Sequence, residues 1–396
     1  MPDHPVRPEI RLLDGHFYAA DPHPHFAWMR EQAPVYWDES GGVWGIALHH
    51  DVMEVSKDAR TFGSAGGSRP DSPPIPSMIN LDDPQHKQRR NLVNRGFTKG
   101  RIQAEERKVR AICVELIERA RAKGEFDFVR EVAAPLPMIV IGDMLGVAPE
   151  DRDDLLRWSD ELIRGTSASA TPEEQAGAMR AFAEYSAYHR RVVADRRAKP
   201  LGPDLMSVLV HAEIEGERLD DDALLQESLL LLVGGDETTR HVIGGGMRAL
   251  LCHPKEREKL VRRPELLERA VEEMLRWVTP IQNMSRTATR DLELRGQKLR
   301  AGDKVLLLYP SANRDARVFR EPFRFDVERT PNHHVAFGGY GAHFCLGASL
   351  ARLELRVMFE EILRRLPTLE LASEAPPTLR PSNFITGIES LPVQVR

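Results

Sequence analysis

One short stretch constrains this chain more than any other: residues 337–347 read FGGYGAHFCLG. Gly338, Gly339 and Gly341, with few bulky neighbours, let a backbone loop come close to something flat. Directly after it Ala348, Leu350, Ala351, Leu353, Leu355, Val357 and Met358 recur at helical spacing, so Cys345 stands at a helix start. A helix N-terminus carries unpaired N–H donors and partial positive charge, which stabilise a thiolate.

A glycine-rich loop delivering one thiolate to that position suits an axial ligand of haem iron, with amide hydrogen bonds tuning the sulfur. A structural cysteine beside a tight turn is the usual fate of a lone Cys, but it does not explain this string. A zinc site from His333, His334, His343 and Cys345 lacks a second nearby cysteine and leaves the glycines unexplained.

The remaining composition narrows the class. Net charge is −5 over 396 residues, which argues against nucleic acid or an anionic membrane as a partner. Met1 to Leu13 is Pro-rich and charged, with no apolar run for a signal peptide or membrane anchor. The cysteines (Cys113, Cys252, Cys345) are odd in number and widely spaced, which fits a reducing, cytoplasmic setting.

Helical periodicity dominates. Pro22–Ala33 and His49–Lys57 read as helices around strand-like Val35–Trp37 and Val43–Leu48. Residues 63–80 form a long Gly/Pro/Ser loop with apolar anchors at Met78, Ile79 and Leu81, a length that usually marks a functional or a mobile segment. Asp151–Arg164 and Pro172–Arg197 read as amphipathic helices joined by Gly165–Ala170, either a hinge or a plain loop. Ser285–Ala288, Leu292–Leu294 and Val305–Leu308 look like strands, and Phe384–Thr386 with Leu391–Val395 like a closing pair. The expected fold is mainly α in a single domain: a large helical body (about 84–280 and 345–366) with a small β-sheet region (about 35–48, 285–308 and 379–396).

Asp220–Cys252 carries the strongest helical signal, opened by three aspartates and closed by His253-Pro254. Leu229–Val233 is apolar all round, so the middle must be buried. There the chain places Gly234-Gly235-Asp236-Glu237-Thr238-Thr239. Each interior glycine costs about 1 kcal/mol relative to alanine, so the cluster reads either as a kink or as function. Glycine admits a ligand to the backbone, and a hydroxyl with a carboxylate can open the helical ladder and admit water. That composition makes a proton-delivery groove above a cofactor. A rival reading makes Asp236 and Glu237 metal ligands of a terpene-cyclase-like enzyme, with Asp82-Asp83 as the second acidic cluster. Pro84 puts that second cluster at a helix entrance, which counts against it.

Glu273 and Arg276 share a helix face in an apolar segment, consistent with a structural ion network that Arg324 completes. His86 and Arg90 share another face, Arg286 lies in a strand-like piece, and His343 lies two before Cys345. Four such groups suit the two carboxylates of haem propionates; singly, each reads as an ordinary surface residue.

Together these motifs resemble the cytochrome P450 family, the haem-thiolate monooxygenases, over essentially the whole chain. The resemblance implies the P450 fold and haem b, with Cys345 as the axial iron ligand and Gly347 beside it. Glu237 and Thr238 look like the acid–alcohol pair that delivers protons to bound oxygen. Glu273, Arg276 and Arg324 look like the structural network; His86, Arg90, Arg286 and His343 look like propionate anchors. The chain departs from the family pattern in one place: Phe337 lies eight residues before the cysteine, where seven is usual.

GGDETTRH (234–241), RPD (69–71) and NFITGIES (383–390) look more narrowly like actinobacterial steroid side-chain hydroxylases, which oxidise the C26/C27 terminal methyl of cholesterol or cholestenone. By that resemblance the pocket comprises Met78, Ile79, Val233, Gly234, Thr238, Met284, Phe384 and Ile385, each otherwise ordinary core. The implied reaction inserts one oxygen atom from O2 into a C–H bond of a hydrophobic small molecule. Electrons come from NAD(P)H through a ferredoxin reductase and ferredoxin, docked on a proximal face where Arg352 and Arg356 stand. The enzyme is then a cytoplasmic monomer without membrane anchor. Fatty acids, terpenoids or macrolides are alternative substrates; a non-catalytic haem-thiolate sensor and a peroxide-driven peroxygenase are alternatives of another kind.

Overall fold

A computed structural model describes residues 4–165, 170–214 and 216–396. The chain opens with helices α1 (Gly15–Ala19) and α2 (His23–Gln32), strands β1 (Val35–Asp38) and β2 (Val43–Ile46), then α3 (His49–Lys57) and β3 (Phe62–Gly63). A helical run follows: α4 (Gln85–Asn94), α5 (Lys99–Arg121), α6 (Pro135–Leu145), α7 (Arg152–Gly165), α8 (Pro172–Arg197) and α9 (Leu205–Val210). Strand β4 (Glu125–Asp127) interrupts it. The hairpin β5 (Glu213–Ile214) and β6 (Glu217–Arg218) leads into α10 (Asp221–Cys252), α11 (Pro254–Arg262) and α12 (Leu267–Val278). Then come β7 (Asn283–Ala288), β8 (Leu292–Leu294), β9 (Gln297–Leu299), β10 (Lys304–Leu308) and α13 (Tyr309–Ala312). The chain closes with α14 (Ala348–Arg365), β11 (Leu369–Leu371) and β12 (Pro392–Val395).

Helix α10 is the axis of the body. Its first N–H groups are met by the Asp220 side chain, which accepts from Ala223 N at 2.7 Å. At 1.5 Å per residue it runs roughly 48 Å. Its C-terminal half buries Val242, Ile243, Met247 and Leu250 against Met274 and Leu275 of α12 and Leu355, Met358 and Phe359 of α14. Each such side chain contributes about 1.5–3 kcal/mol by leaving water. The close crossing on α6 needs glycine: a Cβ at Gly235 would stand 2.8 Å from the Ile141 side chain. The helix remains α-helical through residues 234–239, so the expected opening of its ladder is not a break.

The small β region is a five-stranded sheet in the order β1-β2-β10-β7-β3, with β10 parallel to β2 and antiparallel to β7. The closing pair expected near the C-terminus does not form. Strand β12 pairs instead with β11 and β4, while Ile385 makes only an isolated bridge to Ile281. Alternation inside one segment does not reveal which strands it pairs with, and one of the partners, β4, lies far back in the chain. The expected joint at Gly165–Ala170 largely lies outside the described residues. Among those described, no helix is long and apolar enough to cross a membrane.

Candidate active site

The Cys345 loop is folded back on itself: Cys345 N donates to Phe337 O at 3.0 Å, and Phe344 N to Gly341 O at 3.0 Å. Two of its glycines are required by a protein neighbour. A Cβ at Gly341 would fall 1.8 Å from the Ser56 carbonyl oxygen, and one at Gly339 2.3 Å from Ser56 Oγ, both on α3. Tyr340 within the loop adopts φ 58°, stands exposed, and stacks on Phe344 with centroids 5.0 Å apart. Phe337 keeps a packed place, with the Arg352 guanidinium 4.6 Å over its ring.

Gly347 caps α14, so Cys345 precedes the first helical residue by three. The backbone N–H groups of Gly347 and Ala348, at the start of α14, and the cations Arg90 and Arg352 all favour the charged form of the sulfur. Burial nevertheless outweighs them and pushes the thiol pKa up. Yet the side chain remains accessible, the combination found on the wall of an internal cleft. A thiolate there requires one more positive charge, which a coordinated metal ion supplies.

The four expected propionate anchors converge. The His86 and His343 rings lie 4.0 Å apart at 30°. His86 Nδ1 is 3.3 Å from Asp83, while its Nε2 is buried without a partner. Burial, then Arg286, His86 and Arg90, pull the His343 pKa down to about 3, so it is neutral at pH 7. Arg90 donates to the Phe344 carbonyl and Arg286 to its own neighbour's, Ser285 O, at 2.8 Å. Among the described residues no carboxylate pairs with either arginine. Buried guanidinium groups lacking a counter-ion are costly, and a dianionic ligand resolves the cost. The thiol and this cation cluster therefore fit haem.

On α10, Leu230, Gly234 and Thr238 form an accessible i, i+4, i+8 stripe, with Val233 and Gly235 part-exposed beside Gly234. A Cβ at Gly234 would meet no protein atom within 4 Å. Thr238 Oγ1 donates to the Gly234 carbonyl at 3.1 Å. Glu237 sits off this stripe and is fully buried. Its Oε2 accepts from Arg380 Nη1 at 2.7 Å and lies 3.3 Å from His241 Nε2, while Arg240 Nη1 is 3.3 Å from Oε1. Against burial, which raises it, the His241 contact and the Arg240 and Arg380 charges hold its carboxyl far below the usual range. Its neighbour Asp236 goes the other way: desolvation and the Glu237 charge raise its pKa well above normal, with Ser159 Oγ at 3.1 Å. Arg240 also reaches Asp160 of α7 at 2.8 Å. Arg240 and His241 follow Glu237 at i+3 and i+4, so helical spacing could have found them; Arg380 left no signal of its own.

One expected residue is corrected. Arg276 makes two 2.7 Å bonds to Glu273, both residues fully buried, but the third member is Arg329, whose Nε donates to Glu273 Oε2 at 3.0 Å. The Arg324 side chain is 54% exposed and pairs with Glu321. Only its carbonyl joins the network, accepting from Arg276 and Arg329. Arg324 closes a turn from Glu321, its N donating to Glu321 O at 2.9 Å, and its side chain faces outward. Arg352 and Arg356 are likewise not a free basic patch. Arg352 is bidentate to Glu272 at 2.7 and 2.8 Å, and Arg356 bonds Glu106 and Glu360 at 2.8 and 2.9 Å.

The expected pocket residues fall on segments stitched together by polar contacts. Met78 N donates to Glu227 Oε1 of α10 at 2.8 Å, next to Ile79. Ser285 N donates to Ser68 O at 2.9 Å, placing the 63–80 loop beside Met284. Asn283 Nδ2 donates to Asn383 O at 2.7 Å, placing Phe384 beside β7. Val233, Met284 and Phe384 are part-exposed, whereas Ile385 is 1% exposed and bridges Ile281. The zinc and divalent-metal alternatives find no common centre: His334 Nε2 meets Glu272 at 3.0 Å, and Asp82 accepts from Ser64 N at 2.7 Å.

A loop-borne thiol at a helix start, a cation cluster and a glycine-containing central helix define a haem-thiolate protein. The cytochrome P450 family model matches residues 47–395, and the chain belongs to that family of monooxygenases. It is 50% identical over 388 residues to a protein named steroid C26-monooxygenase from Mycobacterium tuberculosis, covering 98% of this chain and 97% of that one. It is 38% identical to a methyl-branched lipid omega-hydroxylase of Mycobacterium bovis, covering 99% and 96%. Among solved structures, CYP109E1 from Bacillus megaterium in complex with testosterone aligns with a TM-score of 0.88 at 35% identity, covering 96% and 99%. Mycobacterium marinum CYP268A2 in complex with pseudoionone aligns at 0.90 and 32%, covering 98% and 99%.

Proposed function

We propose that this enzyme hydroxylates the terminal methyl of a sterol side chain, with a cholestenone-like molecule as substrate. Half-identity over nearly the full length to a steroid C26-monooxygenase carries this reading. Haem b supplies oxygen activation and C–H oxidation when bound. Cys345 is its thiolate ligand, tuned by the Gly347 and Ala348 amides. His86, Arg90, Arg286 and the neutral His343 hold the two carboxylates of the group.

Thr238 presents its hydroxyl on the accessible stripe and passes a proton there from water. Glu237, as held, is an acceptor for Arg380, so proton passage through it requires that contact to loosen. Val233, Gly234, Met284 and Phe384 line the cavity and exclude water, with Met78 and Ile79 anchored behind Glu227. Glu273, Arg276 and Arg329 hold the segment that leads to the Cys345 loop. Electrons arrive from NAD(P)H through a reductase and a ferredoxin; the chain works as a single-domain monomer in the cytoplasm.

The test is a titration of the ferric protein with cholestenone, a fatty acid and a terpenoid while the haem spin state is followed. A shift with cholestenone at the lowest concentration is expected. A stronger response to either of the others transfers the assignment to that class. Loss of the ordinary ferrous–CO spectrum in Cys345→Ala is expected, and an unaltered one removes Cys345 as ligand.

A further inference from the structure

One buried tyrosine differs from the others. Tyr18 donates its hydroxyl to Leu12 O at 2.9 Å, Tyr36 to Arg7 O at 2.9 Å and Tyr185 to Ser228 Oγ at 2.9 Å. Tyr309 is 4% exposed, and among the described residues nothing accepts a hydrogen bond from its hydroxyl. The ring is ordinary core, in one cluster with Val52, Val55, Val305 and Leu307. The hydroxyl itself is not sealed in, because a water-sized group still reaches it. Phenylalanine would fill the same space with no polar group to satisfy, and a buried Tyr O–H ordinarily finds an acceptor.

The surroundings point to that acceptor. Arg286 stands opposite Val305, and Met284 opposite Leu307, in the antiparallel β7–β10 ladder. Directly opposed residues share a face. Alternation along β10 brings Tyr309, just past its end, to the same face. Its backbone continues the ladder, Tyr309 N donating to Gln282 O at 3.2 Å. Beside the hydroxyl runs the Cys345 loop: a Cβ at Gly338 would lie 4.0 Å from the Tyr309 hydroxyl oxygen and 4.0 Å from His343 O. The hydroxyl therefore stands with Arg286 next to the loop that carries His343 and Cys345. Burial raises the Tyr309 pKa against the pull of Arg286, so the phenol keeps its proton at pH 7 and acts as a donor. Arg286 donates only to Ser285 O at 2.8 Å. A neutral donor beside a guanidinium with no carboxylate partner is a site for an anionic oxygen pair.

We propose that Tyr309 is a further haem-positioning residue, whose hydroxyl donates a hydrogen bond to the haem carboxylate held by Arg286. The inference rests on haem b occupying this site, and it adds a neutral donor to the four anchors placed above. A hydrogen bond at the porphyrin edge withdraws charge from the carboxylate, which eases addition of an electron to the iron.

A crystal structure of the haem-loaded enzyme tests this directly. The Tyr309 oxygen should lie within about 3 Å of a haem carboxylate oxygen. A separation beyond about 3.5 Å, or a hydroxyl bonded only to water, overturns the proposal. In solution, Tyr309→Phe should load haem and keep the ferrous–CO spectrum of thiolate ligation. Its ferric form should lose haem to excess apomyoglobin about 10- to 100-fold faster than wild type, as expected for one hydrogen bond to a charged acceptor. Its reduction potential should fall, and with isotope-labelled haem carboxylates the infrared band of one of the two should shift. A merely structural role would lower the melting temperature without moving the potential or that band. Haem loss within about twofold of wild type, with both carboxylate bands unchanged, overturns the proposal. If Tyr309→Phe fails to load haem, the wild-type crystal structure decides alone. Wild type purified without haem overturns the haem reading itself, whereas bound haem with a remote hydroxyl overturns only this hydrogen bond.

Discussion

Arg380 Nη1 donates to Glu237 Oε2 at 2.7 Å, although 143 residues separate them and both side chains are almost wholly buried. With His241 and Arg240, the contact favours the ionised helix acid, and it ties the C-terminal segment to the centre of α10. Arg380 also pairs with Glu389 at 2.8 Å, so the cation is shared between the interior and a residue nearer the surface.

Adjacent acids on α10 should respond oppositely to neutralisation. Glu237 has a depressed folded pKa, so its stabilising contribution is present above the ordinary carboxylate range and disappears as pH falls through the folded value. Asp236 has a raised folded pKa, so its contribution is present below the ordinary range and disappears as pH rises through the raised value. Glu237→Gln should destabilise at pH 7 by about 3–5 kcal/mol by leaving buried cations unmatched. Asp236→Asn, which resembles the protonated acid, should be neutral or stabilising, more so at higher pH. Thermal melts across the pH range check both; equal losses at the two positions would contradict the assignment.

The corrected ion network gives a direct contrast. Arg329→Met removes a nearly buried partner from fully buried Glu273 and should cost about 3–5 kcal/mol. Arg324→Ala removes an exposed side chain and should stay within about 0.5 kcal/mol. Chemical denaturation of the two variants measures the difference.

Two glycines should fail in different ways. Gly341→Ala drives a methyl into the Ser56 carbonyl and should displace the Cys345 loop, seen as a lower ratio of haem to protein after purification. Gly234→Ala meets no protein atom and gains about 1 kcal/mol of helix propensity. It should load haem normally and melt higher, while a bulky substrate shifts the spin state less.

Thr238→Ala should retain haem and substrate binding but divert reducing equivalents to peroxide. Product formed per NAD(P)H consumed, with peroxide measured in parallel, reads this out. An unchanged yield would remove the hydroxyl from proton delivery.

Much of this protein was written locally. The FGGYGAHFCLG string, the Glu237-Thr238 pair and the Glu273–Arg276 spacing lie within single elements, so helical period and turn chemistry disclosed them. The same locality exposed α2, α3, α8 and α10 at nearly their observed ends. It misled where a residue's neighbour is remote. Arg324 was expected to complete the Glu273–Arg276 network, but Arg329, five residues on, is the one buried against Glu273. Two of the loop glycines answer to Ser56, far back in the sequence, as well as to any bound group.

The sequence alone determined the class of protein, the thiol at a helix start and the central helix, because each is an interaction among residues a few positions apart. Tertiary structure decided which cations surround Glu237, which arginine completes Glu273, and that Arg69 meets Asn383 across 314 residues. Those partners depend on where packed elements cross, and burial then sets each charge by the company it keeps, which no single stretch of chain records.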